Sequence, residues 1–344
     1  MEKKQFINTL TPGAVVDGLF LLAAATQNTA RNGPYWRIEF KDSSGSIESK
    51  IWSPLSLNFP DLKAGSIADV QGRVIVYRER NEIAVEAMRV LSDEEKAALN
   101  LSDYMPASAR DGQSMLEELE QLCRKTFSHA AWKKFYKLVL KDEEIAAALP
   151  IAPAAKGMHH AYAGGLLEHT LGVCRAALNF ADLYPQLDRQ VLLAGALCHD
   201  LGKIRELSSD LVIDYTSAGR LMGHISIAIE MLEPFIRKSA LEPELAEHLR
   251  HLVLSHHGIR EYGSPILPAT AEAMALHFAD NLDAKMNQIT GVLEAIDEED
   301  GWSNYVPGLD RHIFKPKASP EPDGVRAKNT KTKQVSQCSL LLKE

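Results

Sequence analysis

A chain of 344 residues, 45% hydrophobic and 24% charged, has the composition of a globular protein with room for two domains. Its formal net charge of −8 excludes indiscriminate coating of DNA but leaves room for a local basic face. No apolar run approaches the ~18 residues of a membrane span, and the opening Met1-Glu2-Lys3-Lys4-Gln5 lacks a secretory apolar segment, so a cytoplasmic location with no membrane partner is expected.

From the start of the chain, β-rich runs of period two occupy residues 14–25, 35–41, 46–52, 67–77 and 83–90, with turn clusters at 29–34 and 42–45. Five short strands, with Gly65 just before the fourth, fit a small Greek-key barrel of the OB type over residues 1–92. Alternation places Trp36, Ile38 and Phe40 on one face, the side toward a core, and Tyr35, Arg37 and Lys41 off it. Those three are the candidates for stacking bases and tracking phosphates of a nucleic acid, with Trp52, Tyr77 and Lys50 in the same region. Residues 93–113, with Pro106 and Gly112, read as a linker. From Ser114 the apolar period becomes helical, through Met115, Leu119, Leu122, Trp132, Phe135 and Val139, and it persists to Asn287 with a short excursion at 203–215. After Phe314 apolar content collapses, which predicts a disordered tail over 315–344. The expected fold class is therefore multidomain, a small all-β barrel followed by an all-α bundle over 114–314.

Chemistry concentrates on Val191-Leu-Leu-Ala-Gly-Ala-Leu-Cys-His-Asp-Leu-Gly-Lys203. Residues 191–197 are small and apolar on nearly every face, the mark of a helix buried all round. Ending such a helix in an imidazole, a carboxylate and an ammonium strands charge unless partners are supplied. Taken alone, the pair has a plain structural explanation: His199 offsets the helix dipole and Asp200 caps the next turn. Its company changes that reading. His169, His224, the tandem His256-His257 and Asp280 each lie on, or at the end of, an apolar helical stretch, and a shared divalent-metal site serves them all at once. The cysteines, Cys123, Cys174, Cys198 and Cys338, form no Cys-x-x-Cys pair, and Cys198 reads as a reduced core residue rather than a ligand.

The order His169, His199-Asp200, His224, His256-His257, Asp280, with Leu201-Gly202-Lys203 after the His-Asp, resembles the HD-domain metal-dependent phosphohydrolases in the version that holds two metals. The segments Tyr35-Trp-Arg-Ile-Glu-Phe-Lys-Asp42 and Gly45-Ser-Ile-Glu-Ser-Lys-Ile-Trp52 resemble OB domains of the tRNA-synthetase type. A barrel of this kind before an HD domain, with Lys156-Gly-Met-His-His-Ala-Tyr-Ala-Gly-Gly-Leu-Leu-Glu-His-Thr170, resembles the YhaM-type 3′→5′ exoribonucleases of bacteria over about residues 10–314.

That resemblance implies a phosphodiester hydrolase dependent on two divalent ions, manganese or cobalt favoured with iron, nickel and zinc compatible, that trims single-stranded RNA, and single-stranded DNA as a further substrate, from the 3′ end. It implies one ion on His169, His199, Asp200 and Asp280, and a second on His224, His256 and the bridging Asp200. Attack would come from a hydroxide generated between the ions, with Asp200 and Lys203 as the catalytic side chains. His159, His160, Glu168, His257 and His277 are expected to touch substrate or to support the ligands. Neighbours on a helix diverge by ~100°, so the two rings do not easily face one metal; the resemblance assigns His256 by its position in the order and leaves His257 as a substrate contact or alternate ligand. Two other readings stand: an HD-type phosphodiesterase or phosphatase of small nucleotides, and a nonenzymatic RNA-binding module with a structural metal.

Overall fold

The period-two runs pair into a closed barrel in the computed structural model, which describes residues 3–78, 80–157, 160–208, 210–296 and 301–317. Its strands are β1 (Val15–Ala30), β2 (Gly33–Asp42), β3 (Gly45–Ile51), β4 (Ile67–Tyr77) and β5 (Arg80–Val90), in the order β1-β2-β3-β5-β4. Antiparallel β1–β4 and parallel β3–β5 pairing closes the circle, the OB-type arrangement. Phe20, Leu22, Trp36, Ile38, Phe40, Ile51, Val70, Val74 and Ile83 fill the interior, so the side of β2 expected to face the core does so. The turn expected over 29–34 is shorter than that. Thr29 pairs with Pro34 and Ala30 with Gly33, leaving Arg31-Asn32 as the turn, because a hairpin arm beyond the core still satisfies its backbone groups across the ladder.

The stretch expected as a linker is packed rather than slack. It carries the short helix α1 (Asp93–Ala97), capped by Ser92, and buries Leu99 and Tyr104 in a cluster with Leu19, Leu21 and Ile67 of the barrel and Leu211 of the helical half. Lys3, also buried, donates to the Leu19 carbonyl at 2.6 Å and pairs with Asp42 at 3.2 Å. Gly112 and Gln113, placed in the linker from sequence, instead open a helix, because the Asp111 carboxylate accepts from the Ser114 amide and starts it there.

The helical half comprises α2 (Gly112–Thr126), α3 (Ala130–Leu140), α4 (Glu143–Ala148), α5 (Gly165–Leu183), α6 (Arg189–Cys198), α7 (Lys203–Glu206), α8 (Ser217–Ser239), α9 (Pro243–Ser255) and α10 (Ala271–Glu294). Every residue of α6 from Val191 to Cys198 is buried, because α5, α9 and α10 surround it. This central helix delivers His199 and Asp200 to the middle of the bundle. The 203–215 excursion is α7 followed by a loop closed by a bridge between Leu207 and Tyr215. A two-stranded hairpin, β6 (Gly301–Trp302) and β7 (Phe314–Lys315), follows α10. Lys315, assigned to the tail from sequence, therefore lies in a strand, held because its ammonium donates to the Ile296 carbonyl. The rest of the predicted tail from residue 318, with Cys338, falls outside the described residues. No described helix is long and apolar enough to cross a membrane.

Candidate metal centre

Five helices converge their ends or mid-points on Asp200. His169 comes from the start of α5, His199 is the C-cap of α6, His224 lies in α8, His256 is the C-cap of α9, and Asp280 projects from the middle of α10. Asp200 Oδ2 lies 3.4 Å from His169 Nε2 and 3.5 Å from His199 Nε2, while Asp280 Oδ1 lies 3.2 Å and 3.9 Å from the same two nitrogens. Asp200 Oδ1 faces the other way, 3.4 Å from His224 Nε2 and 3.6 Å from His256 Nε2. One carboxylate thus separates two donor sets, and all six residues selected from sequence as ligands are brought together.

The outer nitrogens of the rings explain why the inner ones are available. Nδ1 of His199, His256 and His257 donates to the carbonyls of Ala196, Val253 and Tyr262 at 2.8, 2.7 and 2.6 Å. A carbonyl can only accept, so each ring carries its proton on Nδ1 and turns an Nε2 lone pair inward. Carboxylates do the same for the other two: Glu206 sits 3.1 Å from His224 Nδ1 and Asp283 sits 2.7 Å from His169 Nδ1. In consequence His169 Nε2 and His199 Nε2 face each other at 3.2 Å, and the buried atoms Asp200 Oδ1, His224 Nε2 and His256 Nε2 have no hydrogen-bond partner among the described residues. Convergent buried acceptors without donors are costly, and a cation shared among them removes the cost. Imidazole nitrogens with carboxylate oxygens form a donor set suited to a borderline divalent ion, so the residues present fit a metal.

Burial pushes the His199 imidazole down to about 4, which keeps it neutral and ready to ligate at neutral pH. Burial would raise Asp200, but the Lys203 ammonium, 2.7 Å from Oδ2, and His199 hold it well below the usual carboxylate range. Burial likewise opposes charge on His169, and hydrogen bonds to Asp200, Asp280 and Asp283 outweigh it and raise that ring in the metal-free protein.

Two glycines shape the approach. Gly223 adopts a φ of +71° inside α8 and breaks the helix just before His224, whose amide then donates to Glu206 at 2.9 Å. Gly202 lies so close to α8 that a methyl group there would meet the His224 carbonyl oxygen and the Ala228 amide. Lys203 is buried rather than a surface residue after a turn, and its ammonium is bound to the carboxylate between the two donor sets.

The separation expected of His256 and His257 does not hold. α9 ends at Ser255, so the pair lies at and beyond the helix end, where the 100° rule no longer applies. Both rings come within ligand reach of Asp200 and His224. His277 donates from Nδ1 to the His256 carbonyl at 3.0 Å and so braces that residue from behind. Glu168 accepts the Tyr162 hydroxyl at 3.2 Å, while the carboxylate on His169 is Asp283, because a residue next to His169 on α5 points elsewhere. His160 is buried, 3.0 Å from the same Asp283 through Nε2 and 2.9 Å from the Tyr162 hydroxyl through Nδ1. His159 lies outside the described residues.

Asp283 and Glu206 contact His169 and His224 at the centre and are the positions that sequence reasoning left unmarked. Asp283 carried a signal, since it follows Asp280 by three residues on the same face of α10. Burial works to raise its carboxyl, and the bonds to His160 and His169 prevail, lowering it from 3.8 to about 2. A depressed carboxyl contributes stability that is fully present above 3.8 and is lost as pH falls through about 2. Asp283→Asn should therefore make acid unfolding of the metal-free protein shallower in that window, and should weaken Mn²⁺ binding by about 10–100-fold in calorimetry. Unchanged metal affinity would mean that His169 needs no orienting partner.

On the barrel, Arg37 is exposed and Tyr35 and Lys41 are half-buried. Arg37 pairs with Glu48 at 2.8 Å. Tyr35 stacks on Trp52 with ring centroids 4.5 Å apart and planes at 25°, and Trp52 is 51% exposed. The Lys50 ammonium lies over the Tyr77 ring at 4.6 Å.

The five-stranded OB-type barrel and the histidine-aspartate centre inside a helical bundle define an HD-domain protein with an appended OB barrel, and the HD domain family matches residues 166–285. A second family, described as a putative helicase, matches residues 107–187 and includes only His169 of the six converging positions. 3′-5′ exoribonuclease YhaM of Bacillus subtilis (strain 168) is 33% identical over 305 residues, 88% of this chain and 96% of its own. The protein of the same name from Bacillus velezensis is 34% identical over 305 residues, with the same coverage. The chain belongs to the YhaM 3′-5′ exoribonuclease family. Among solved structures, the second OB-fold domain of replication protein A from Methanococcus maripaludis is 27% identical, with a TM-score of 0.22, over 27% of this chain and 97% of that one.

Proposed function

We propose that this protein is a 3′→5′ exoribonuclease of single-stranded RNA, acting in the cytoplasm, with single-stranded DNA as a further substrate and two divalent ions, manganese or cobalt, at the centre. The observation that carries the reading is Asp200, whose two oxygens each address a separate set of inward-facing histidine nitrogens. When bound, the ions supply Lewis-acid charge to the phosphate and lower the pKa of water. His169, His199, Asp200 and Asp280 would hold one ion, and Asp200, His224 and His256 the other, with His257 within reach. Asp283 and Glu206 orient His169 and His224. Lys203 keeps Asp200 ionised and sets a positive charge where negative charge accumulates on a phosphate in the transition state. On the barrel, Tyr35 with Trp52 offers a stacking platform, and Arg37 and Lys41 follow the backbone. The direction of trimming follows from the names of the relatives.

The test is a gel time course on 5′-labelled single-stranded RNA in Mn²⁺. A ladder shortening from the 3′ end is expected, and a 3′-blocked RNA should resist. RNA left intact under Mn²⁺ and Co²⁺ would defeat the reading and direct attention to small nucleotides.

A further inference from the structure

A groove of about 800 Å³ lies between the C-terminal half of α10 and the hairpin segment 301–307. That size suits a small organic group rather than an ion. Its walls bring the amides of Gln288 and Asn304 and the aromatic rings of Trp302 and Tyr305. Trp302 leans on Phe314 with ring centroids 5.0 Å apart, yet remains 68% exposed.

Two features decide what the groove can take. None of its described lining side chains is charged, and it sits at the C-terminal end of α10, where the helix dipole is negative. Both disfavour a phosphate. An uncharged planar group with hydrogen-bond donors and acceptors on its edge meets the lining on every count, since aromatic rings stack on its face and amides pair with its edge.

The groove is also in line with the metal centre. Asn287 lines it, and the same side chain accepts the His160 amide at 2.9 Å and donates to the Tyr162 hydroxyl at 3.2 Å, next to Asp283 and His169. Asp280 and Asn287 are seven residues apart on one face of α10, a rise of ~10 Å. The lining residues of α10 and its C-terminal end continue to Ile296, a rise of ~24 Å from Asp280; stacked nucleotides advance ~3.4 Å each, so the groove spans about three to seven nucleotides from Asp280.

We propose that this groove is a nucleobase subsite, holding a base of the single-stranded substrate about three to seven nucleotides from the scissile phosphate. The inference deepens the exoribonuclease reading and rests on RNA being the ligand. Gly291 provides the means of testing it, because a side chain there would enter open space in the groove and improve the helix. The experiment is fluorescence anisotropy of the full chain with a labelled oligoribonucleotide in EDTA, comparing wild type, Gly291→Leu and Trp302→Ala, with Mn²⁺ calorimetry in parallel. Each variant should bind RNA about tenfold more weakly, the scale of one lost base stack, while taking up Mn²⁺ as the wild type does. RNA binding equal to wild type in both variants overturns the subsite, as does weakening that tracks a loss of Mn²⁺ uptake. A wild type that binds RNA through this groove yet never shortens it would overturn the exoribonuclease reading and leave the subsite standing.

Discussion

Asp200→Asn should lose RNA hydrolysis by on the order of 10³-fold or more, because it removes the charge common to both donor sets and with it several kcal/mol of transition-state stabilisation. The same variant should not lose stability in metal-free buffer. An amide keeps the shape of the carboxylate and offers an N–H to the inward nitrogens, including His224 Nε2 and His256 Nε2, which, like Asp200 Oδ1, lack hydrogen-bond partners among the described residues. Against this, Lys203 loses an anionic partner at 2.7 Å, so the net change in melting temperature should be small. Asp200→Ala is expected to be inactive and less stable, since it removes the carboxylate 2.7 Å from the buried Lys203 ammonium and leaves only the more distant charges of Asp280 and Glu206 to offset it. Gel assays, metal content and thermal melts of the two variants separate these effects. Appreciable RNA cleavage by Asp200→Asn would show that neither donor set needs the shared charge.

Gly202→Ala should be among the most damaging single methyls in the helical half. The added carbon would meet the backbone oxygen of His224 and the amide of Ala228, and backbone cannot turn aside as a flexible side chain does. α7 and α8 must move apart, which costs about 1–3 kcal/mol and carries His224 away from Asp200. Lower stability in urea and a second Mn²⁺ site weakened more than the first are the expected results. A variant with wild-type melting behaviour and two equal sites would show that the α7–α8 contact is slack.

The α7–α8 contact illustrates how local pattern and tertiary structure divide the information. Alternation in β2 was enough to send Trp36, Ile38 and Phe40 inward, and uniform small apolar residues were enough to bury α6, because both patterns depend on neighbours in the chain. The six converging side chains were legible for a different reason: histidines and aspartates on apolar helical stretches stand out, and their order matches that of the HD-domain phosphohydrolases. Other features left no such trace. The requirement for glycine at 202 comes from a helix that begins fifteen residues later, and its sequence context shows only a turn.

Composition and periodicity by themselves thus indicated a barrel followed by a helical bundle, and the order of histidines and aspartates shared with the HD-domain phosphohydrolases picked out the residues that meet at its centre. Tertiary structure decided how those residues are used. Asp283 reaches His169 across 114 residues of sequence, and Glu206 reaches His224 across 18, so the hydrogen bonds that turn each Nε2 inward exist only once α5, α7, α8 and α10 have packed. The end of α9 at Ser255 brought His257 beside His256, and the hairpin after α10 made a groove from residues that carry no pattern of their own. Periodicity records which face of an element is buried; the partner that face meets is set by packing between distant elements, and that is where the chemistry of this site was decided.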